Sequence, residues 1–311
     1  MTSPVLLMTP LHAPTQRELE STREVHRHWS APDRDALVAS LADRCEVVVT
    51  SGGRGLEAAM MRALPKLKLV ACFGVGVDAI DVEHARAHGI AVTNTPDVLT
   101  DDVADLAVAL MLASLRQVVS ADRWVREGRW VSQGAMPLAT AVARRKVGIV
   151  GLGRIGAAIA TRCEAFGTEV AWHGPRRKDV KWAYFDDPVA LARWADVLIA
   201  ACPGGPATKG IVSRAVLEAL GPRGHFVNIA RGSVVDQPAM VELLKSGALG
   251  GAGLDVFDDE PNVPADLIAL PHVVLQPHQA SATDDTRGAM GRLVLDNVAA
   301  WFDGRPLVTP V

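Results

Sequence analysis

Short aliphatic and β-branched runs alternate along most of the chain with stretches in which apolar positions recur at three- and four-residue spacing. The runs read as buried strands and the longer spacing as amphipathic helices; their alternation predicts an α/β architecture with parallel sheets. In the first hundred residues strands are expected at 5–8, 46–50, 67–73 and 90–94, enough for a small independent sheet. A second series follows at 146–150, 168–173, 197–201, 225–229, 253–256 and 273–275. Six strands with crossover helices make a complete doubly wound sheet. Between the two series, Val103, Leu106, Ala107, Leu110, Met111 and Ser114 repeat at helical spacing, with Thr100 as cap and Asp101 and Asp102 complementing the positive end of the helix dipole. Residues 124–145 carry little periodicity. Trp124 and Trp130 there fit an arm laid on a partner subunit or a surface loop with local packing. A last helix is expected over 282–302, returning to the first domain.

Composition narrows the class. With 49% hydrophobic residues in 311, the chain can bury a large core, and its length suggests two domains. Its 32 Lys and Arg are interspersed among 35 Asp and Glu, for a formal charge of −3. That balance leaves no basic footprint for nucleic acid or an anionic membrane. The opening stretch has a four-residue apolar run and no basic lead, and no segment reaches membrane-span length, so a cytosolic location is the expectation. Cys45, Cys72, Cys163 and Cys202 are far apart, which suits reduced buried thiols and argues against disulfides or a metal site.

The strongest local chemical signal is Val147-Gly-Ile-Val-Gly151-Leu-Gly153-Arg-Ile-Gly156, a buried-strand run leading through Gly-x-Gly-x-x-Gly into a helical stretch. Gly151 permits the tight turn, Gly153 lets a pyrophosphate approach the backbone, and Gly156 lets helix and strand pack closely. The N–H groups at the helix start then face the phosphates. An NAD-binding sheet usually ends its second strand with an acid for the ribose; here 168–173 runs into Gly174-Pro-Arg176-Arg177-Lys178. Three cations in place of the acid suit a 2′-phosphate, because guanidinium grips phosphate through paired charge-assisted bonds. NADP is therefore expected over NAD.

Further along stand Asn228-Ile-Ala-Arg231-Gly232, Gly253-Leu-Asp255-Val-Phe257, Glu260-Pro261 and Gln276-Pro277-His278-Gln-Ala-Ser281. Their order resembles the catalytic signature of D-2-hydroxyacid dehydrogenases. Phe73-Gly-Val-Gly-Val-Asp78 and the stretch from Thr93 to Asp105 resemble the glyoxylate/hydroxypyruvate reductase branch. The resemblance spans nearly the whole chain. It implies a Rossmann cofactor domain, 99–280, inserted in a flavodoxin-like substrate domain formed by 1–98 and 281–311. It also implies reduction of a small 2-keto acid; a homodimer built on the helix from Asp101 and the Trp124 to Trp130 arm is expected separately. His278 would be the acid/base, Glu260 its partner, Arg231 the group holding the keto acid, and the Val75-Gly76 backbone the binder of its carboxylate. Cofactor contacts would fall to Gly151, Gly153, Arg154, Ile155 and Gly156, to Arg176, Arg177 and Lys178, and to Cys202, Pro203, Thr208, Ile229, Ala230, His278 and Ala280. Asp255 would lie near the nicotinamide amide.

The residue types make chemical sense unaided. Hydride addition to a ketone leaves an alkoxide that needs a proton, and a histidine can deliver one near neutrality. A neighbouring carboxylate would orient the ring and favour its charged form. Arginine supplies a permanent charge that pairs with carboxylate and polarises a carbonyl. Two segments depart from the family pattern: Gln279-Ala280-Ser281, where Gly-Ser is common, and the glycine- and proline-rich Cys202-Pro-Gly-Gly-Pro206. They bear on substrate identity. Two other functions share the fold, an NAD-dependent 3-phosphoglycerate dehydrogenase and a dinucleotide-sensing scaffold without turnover.

Overall fold

The computed structural model describes residues 3–311. It divides into two compact units, one running up to Leu99 and resuming at Ser281–Val311, the other Thr100–Ala280.

In the first unit, β1 (Val5–Leu7), β2 (Val25–Arg27), β3 (Val47–Ser51), β4 (Leu69–Phe73) and β5 (Ala91–Thr93) form a wholly parallel sheet in the order β2-β1-β3-β4-β5. This is the doubly wound order with its switch point between β1 and β3. The central strands are unbroken apolar runs because helices cover both faces. Leu6, Val48, Val70 and Val92 make one core with Leu41, Met61 and Ile80 from the crossovers. The helix Asp284–Phe302, capped by Thr283, packs on β4 and on the helix Ala13–Thr22, as the return to this unit requires. β2 was absent from the expected strands: it is three residues long and only partly buried, so Val25-His26-Arg27 carries no apolar period.

In the second unit, β6 (Lys146–Val150), β7 (Glu169–His173), β8 (Ala183–Phe185), β9 (Val197–Ala200), β10 (His225–Asn228), β11 (Gly251–Leu254) and β12 (Val273–Leu275) pair in parallel in the order β12-β11-β10-β9-β6-β7-β8. The expected six strands are present. The seventh, β8, is a short edge strand with no fully buried residue, again too weak a pattern to read. The helix Thr100–Leu115 lies against β10, β11 and the helix Arg154–Ala165. Arg162 ties the two helices by bonding Asp105 at 2.6 Å and Asp101 at 2.9 Å. Residues 124–145 are more ordered than their pattern suggests, with helices Val118–Arg126 and Arg129–Gln133. Trp124 packs locally, its indole N–H donating to Gly134 O and its ring under Arg129, whereas Trp130 is exposed.

Among the described residues no single helix is long and apolar enough to cross a membrane, and no group of three or more His, Cys, Asp or Glu is placed to hold a metal.

Candidate active site

Every strand of the second sheet runs the same way, so the loops leaving the carboxyl ends of its strands meet at one edge. That topology gathers Gly151 after β6, Arg176 after β7, Cys202 after β9, Arg231 after β10, Glu260 after β11 and His278 after β12.

The centre of this edge is a histidine–carboxylate pair. His278 Nδ1 lies 2.7 Å from Glu260 Oε2. An ionised carboxylate can only accept, so Nδ1 carries the proton in this pair and Nε2 is left for other chemistry. Glu260 Oε1 accepts a bond from the Phe257 N–H at 3.0 Å, which fixes the carboxylate plane. Burial acts to raise the Glu260 carboxyl, but the His278 bond, the Phe257 N–H and the charges of His278 and Arg231 outweigh it and hold the group below its ordinary value.

His278 has φ +53°, a left-handed conformation uncommon outside glycine and short polar residues. Asp255 maintains it. The His278 N–H donates to Asp255 O at 2.8 Å, and the next two N–H groups, of Gln279 and Ala280, donate to Asp255 Oδ1 and Oδ2 at 2.6 and 3.0 Å. The sequence-based expectation puts Asp255 at the nicotinamide amide; in the structure both its carboxylate oxygens are engaged by the backbone that follows His278. Asp255 is wholly buried, and burial raises its carboxyl against the lowering effect of those N–H groups and of His278.

Arg231 sits on the loop leaving β10, with one guanidinium N–H donating to Ala230 O at 2.8 Å. Asn228 braces that loop: its amide donates to Arg231 O and its oxygen accepts from Ala230 N–H. Asn228 is fully buried at the end of β10, and it is not among the expected site residues. Gly232 allows the loop to touch the next one, since a Cβ there would lie 2.0 Å from the Phe257 carbonyl carbon.

The glycine-rich turn fits a dinucleotide pyrophosphate. Gly151 has φ +99° and lies so close to the next loop that a Cβ would come within 2.6 Å of Cys202 Cα. At Gly156 a Cβ would meet Gly151 O at 2.1 Å, whereas at Gly153, the cap of the helix Arg154–Ala165, nothing lies within 4 Å. No side chain caps that helix. An open surface beside first-turn N–H groups suits an anion. Ile155 is half buried and Arg154 exposed. Cys202 packs its backbone beneath Gly151, and burial pushes its thiol up to about 11, so it serves by shape and not as a nucleophile. Pro203 is exposed, and its carbonyl accepts the Thr208 hydroxyl at 2.6 Å. Ile229, Ala230 and Ala280 are buried beside these loops.

The basic turn after β7 divides. Arg176 and Arg177 are exposed, but the Lys178 ammonium donates to Leu152 O, inside the glycine-rich turn, at 2.5 Å. Lys178 thus joins the two turns. In the first unit, Val75 and Gly76 lie on the loop after β4, with Val75 37% exposed.

Residues 108–280 match the family described as D-isomer specific 2-hydroxyacid dehydrogenase, NAD binding domain. The chain is 44% identical over 308 residues to a hydroxyphenylpyruvate reductase of Plectranthus scutellarioides, covering 99% of this chain and 98% of that protein. Identity and coverage are the same for a glyoxylate/hydroxypyruvate reductase of Arabidopsis thaliana. Among solved structures, an NADPH-dependent glyoxylate/hydroxypyruvate reductase of Sinorhizobium meliloti, in complex with NADP and malonate, superposes with a TM-score of 0.93 at 44% identity. The alignment covers 100% of this chain and 97% of that one.

Proposed function

This chain belongs to the D-isomer specific 2-hydroxyacid dehydrogenase family, and from that premise we propose that it reduces glyoxylate, hydroxypyruvate or a similar small 2-keto acid to the D-2-hydroxy acid with NADPH. The observation that carries the reading is the His278–Glu260 pair at 2.7 Å, on the same sheet edge as the Gly151–Gly156 turn.

Bound NADPH supplies the hydride. Gly151, Gly153 and Gly156, with the first-turn N–H groups of the helix Arg154–Ala165, would hold its pyrophosphate, and Arg176 and Arg177 its 2′-phosphate. His278 protonates the carbonyl oxygen as negative charge develops there, and Glu260 holds the ring in the tautomer that leaves Nε2 for that proton. Arg231 steadies the keto acid and polarises its carbonyl. The Val75–Gly76 backbone would offer N–H groups to a carboxylate. Asp255 and Asn228 act on the backbones that carry His278 and Arg231.

The same reading includes a homodimer. Val118, Val125, Trp130 and Val131 on the two helices after residue 117 are exposed apolar side chains of a kind a partner subunit would cover. It also includes action in the cytosol, in keeping with four buried free thiols.

The deciding experiment is a panel of 2-keto acids assayed for NADPH and NADH oxidation. Turnover of glyoxylate or hydroxypyruvate with NADPH preferred is expected. No turnover of any keto acid, with NADPH still bound, would favour the sensing scaffold.

A further inference from the structure

We infer that Asn94 and Thr309 are positioning residues that aim the N–H groups of Val75 and Gly76 at the substrate carboxylate. The inference rests on the proposed assignment of that backbone to the carboxylate and names what holds it in place.

A trans peptide is planar, so its carbonyl and its N–H point in opposite directions, and fixing one fixes the other. The Val75 N–H belongs to the peptide whose carbonyl is Gly74 O, and the Gly76 N–H to the peptide whose carbonyl is Val75 O. Both carbonyls are held from one side. Gly74 O accepts the Thr95 N–H at 3.0 Å, and Val75 O accepts the Asn94 side-chain amide at 2.9 Å. The two N–H groups are therefore turned away from residues 94 and 95. Cys72 Sγ, 3.6 Å from Gly76 O, restrains the peptide that follows.

Residues 94 and 95 lie beyond the end of β5, so ladder bonds do not place them. Thr309 does. The Asn94 N–H donates to Thr309 O at 3.3 Å, and the Thr309 hydroxyl donates to Asn94 O at 2.6 Å, clamping residue 94 on both sides. Thr309 is anchored in turn by Asn297, a buried polar residue of the helix Asp284–Phe302. Asn297 Oδ1 accepts the N–H groups of Val308 and Thr309 at 2.9 and 3.2 Å, and its amide donates to the Thr309 hydroxyl at 2.9 Å. Beside this clamp the Val311 N–H donates to Val92 O at 2.9 Å, and Pro310 bridges Thr93 in antiparallel sense. Every backbone and side-chain polar group of Thr309 is thus used in a relay from Asn297 through Asn94 to the Val75 carbonyl. All of it lies within one unit.

The test measures glyoxylate kinetics at saturating NADPH, NADPH affinity by cofactor fluorescence without turnover, and thermal stability. The variants are Thr309→Val, Thr309→Ser, Asn94→Asp and Gly76→Pro. Thr309→Val loses the hydroxyl at constant shape, and Asn94→Asp replaces a donor by an acceptor facing a carbonyl. Each should raise KM for glyoxylate by about tenfold, the scale of one misplaced hydrogen bond. The kcat and the NADPH affinity should stay within about twofold, since the relay touches neither. Thr309→Ser should restore the wild-type KM. An unchanged KM in Asn94→Asp, or a wild-type KM in a folded Thr309→Val, overturns the inference. If Thr309→Val does not fold, Asn94→Asp alone decides. Gly76→Pro removes one of the two donors. If KM is unchanged there, the carboxylate assignment fails and the inference with it; if KM rises there but not in Asn94→Asp, only the relay fails.

Discussion

In the proposed function His278 meets two requirements that pull against each other: its ring would have to be free to pass a proton, while its backbone holds an unusual left-handed turn. The structure separates them by giving the ring to Glu260 and the backbone to Asp255. Replacing His278 with Ala should lower kcat at least ~100-fold, the contribution of a positioned general acid, while NADPH affinity stays near wild type. Retained turnover would remove the assignment. Glu260 has a carboxyl held below its ordinary value, so it remains charged as pH falls past the range where a free glutamate would protonate. The stability it contributes is present in full above the ordinary glutamate value and is lost progressively as pH falls from there through the lowered value. Arg231 gives a second residue-scale expectation. Its planar fork bonds Ala230 O while its charge lies near Glu260, a pairing that a lysine ammonium cannot reproduce. Arg231→Lys should cost ~2 kcal/mol in kcat/KM, about 30-fold. Equal kcat/KM on every keto acid tested would make Arg231 a structural residue.

At the scale of elements, the proposed function makes the turn after β7 the reader of the cofactor, and the contact of β10 with the helix Thr100–Leu115 is expected to set acid tolerance. Neutralising Arg176 and Arg177 together should weaken NADPH binding by about tenfold or more, the lower end if only one of the two exposed cations makes a charge-assisted bond, and leave NADH nearly unchanged. Equal losses for both cofactors would show that the pair does not read the 2′-phosphate. At Gly174, where an NAD enzyme would place an acid, a Cβ would lie 3.1 Å from the Trp172 ring, so an acid there would require that ring to yield by a few tenths of an ångström. On the other side of the sheet, buried His225 is bonded to Ser114 Oγ at 2.8 Å, and burial, with the charges of His272 and Arg145, pushes it from 6.5 down to about 4. Above about pH 6.5 the ring is neutral in both folded and unfolded chains. As pH falls from 6.5 toward 4 the unfolded chain takes up its proton first, so stability is lost across that window, approaching roughly 3 kcal/mol. Denaturant unfolding between pH 7 and 4 should show that loss, and His225→Asn, which does not titrate, should flatten it. An identical slope in the variant would mean that other groups dominate.

At the scale of the whole molecule, light scattering at micromolar concentration should give the mass of a dimer, and Trp130→Glu, a charge placed on the exposed apolar face, should shift it toward monomer; a stable wild-type monomer would count against the proposal. How much was legible in the chain depends on the range of the forces involved. The central strands, the glycine-rich turn and the ordered residues Arg231, Glu260 and His278 could be read directly. Burial writes itself as unbroken apolar runs, and a chemical task as particular residue types in order. The edge strands Val25–Arg27 and Ala183–Phe185 could not, because half-exposed three-residue strands are selected by pairing with a neighbour already in place and not by their own pattern. The same reason hid Asn228, Asp255 as a brace, Lys178 as a link between turns, and the clamp on Asn94. Each depends on a backbone carbonyl or N–H brought near by the fold, and backbone groups leave no mark in a sequence. Residue types thus determined which chemistry this protein can perform, whereas tertiary structure alone decided which peptide planes and side chains are held still enough to perform it, since hydrogen bonds between distant segments exist only after the sheets have closed on their cores.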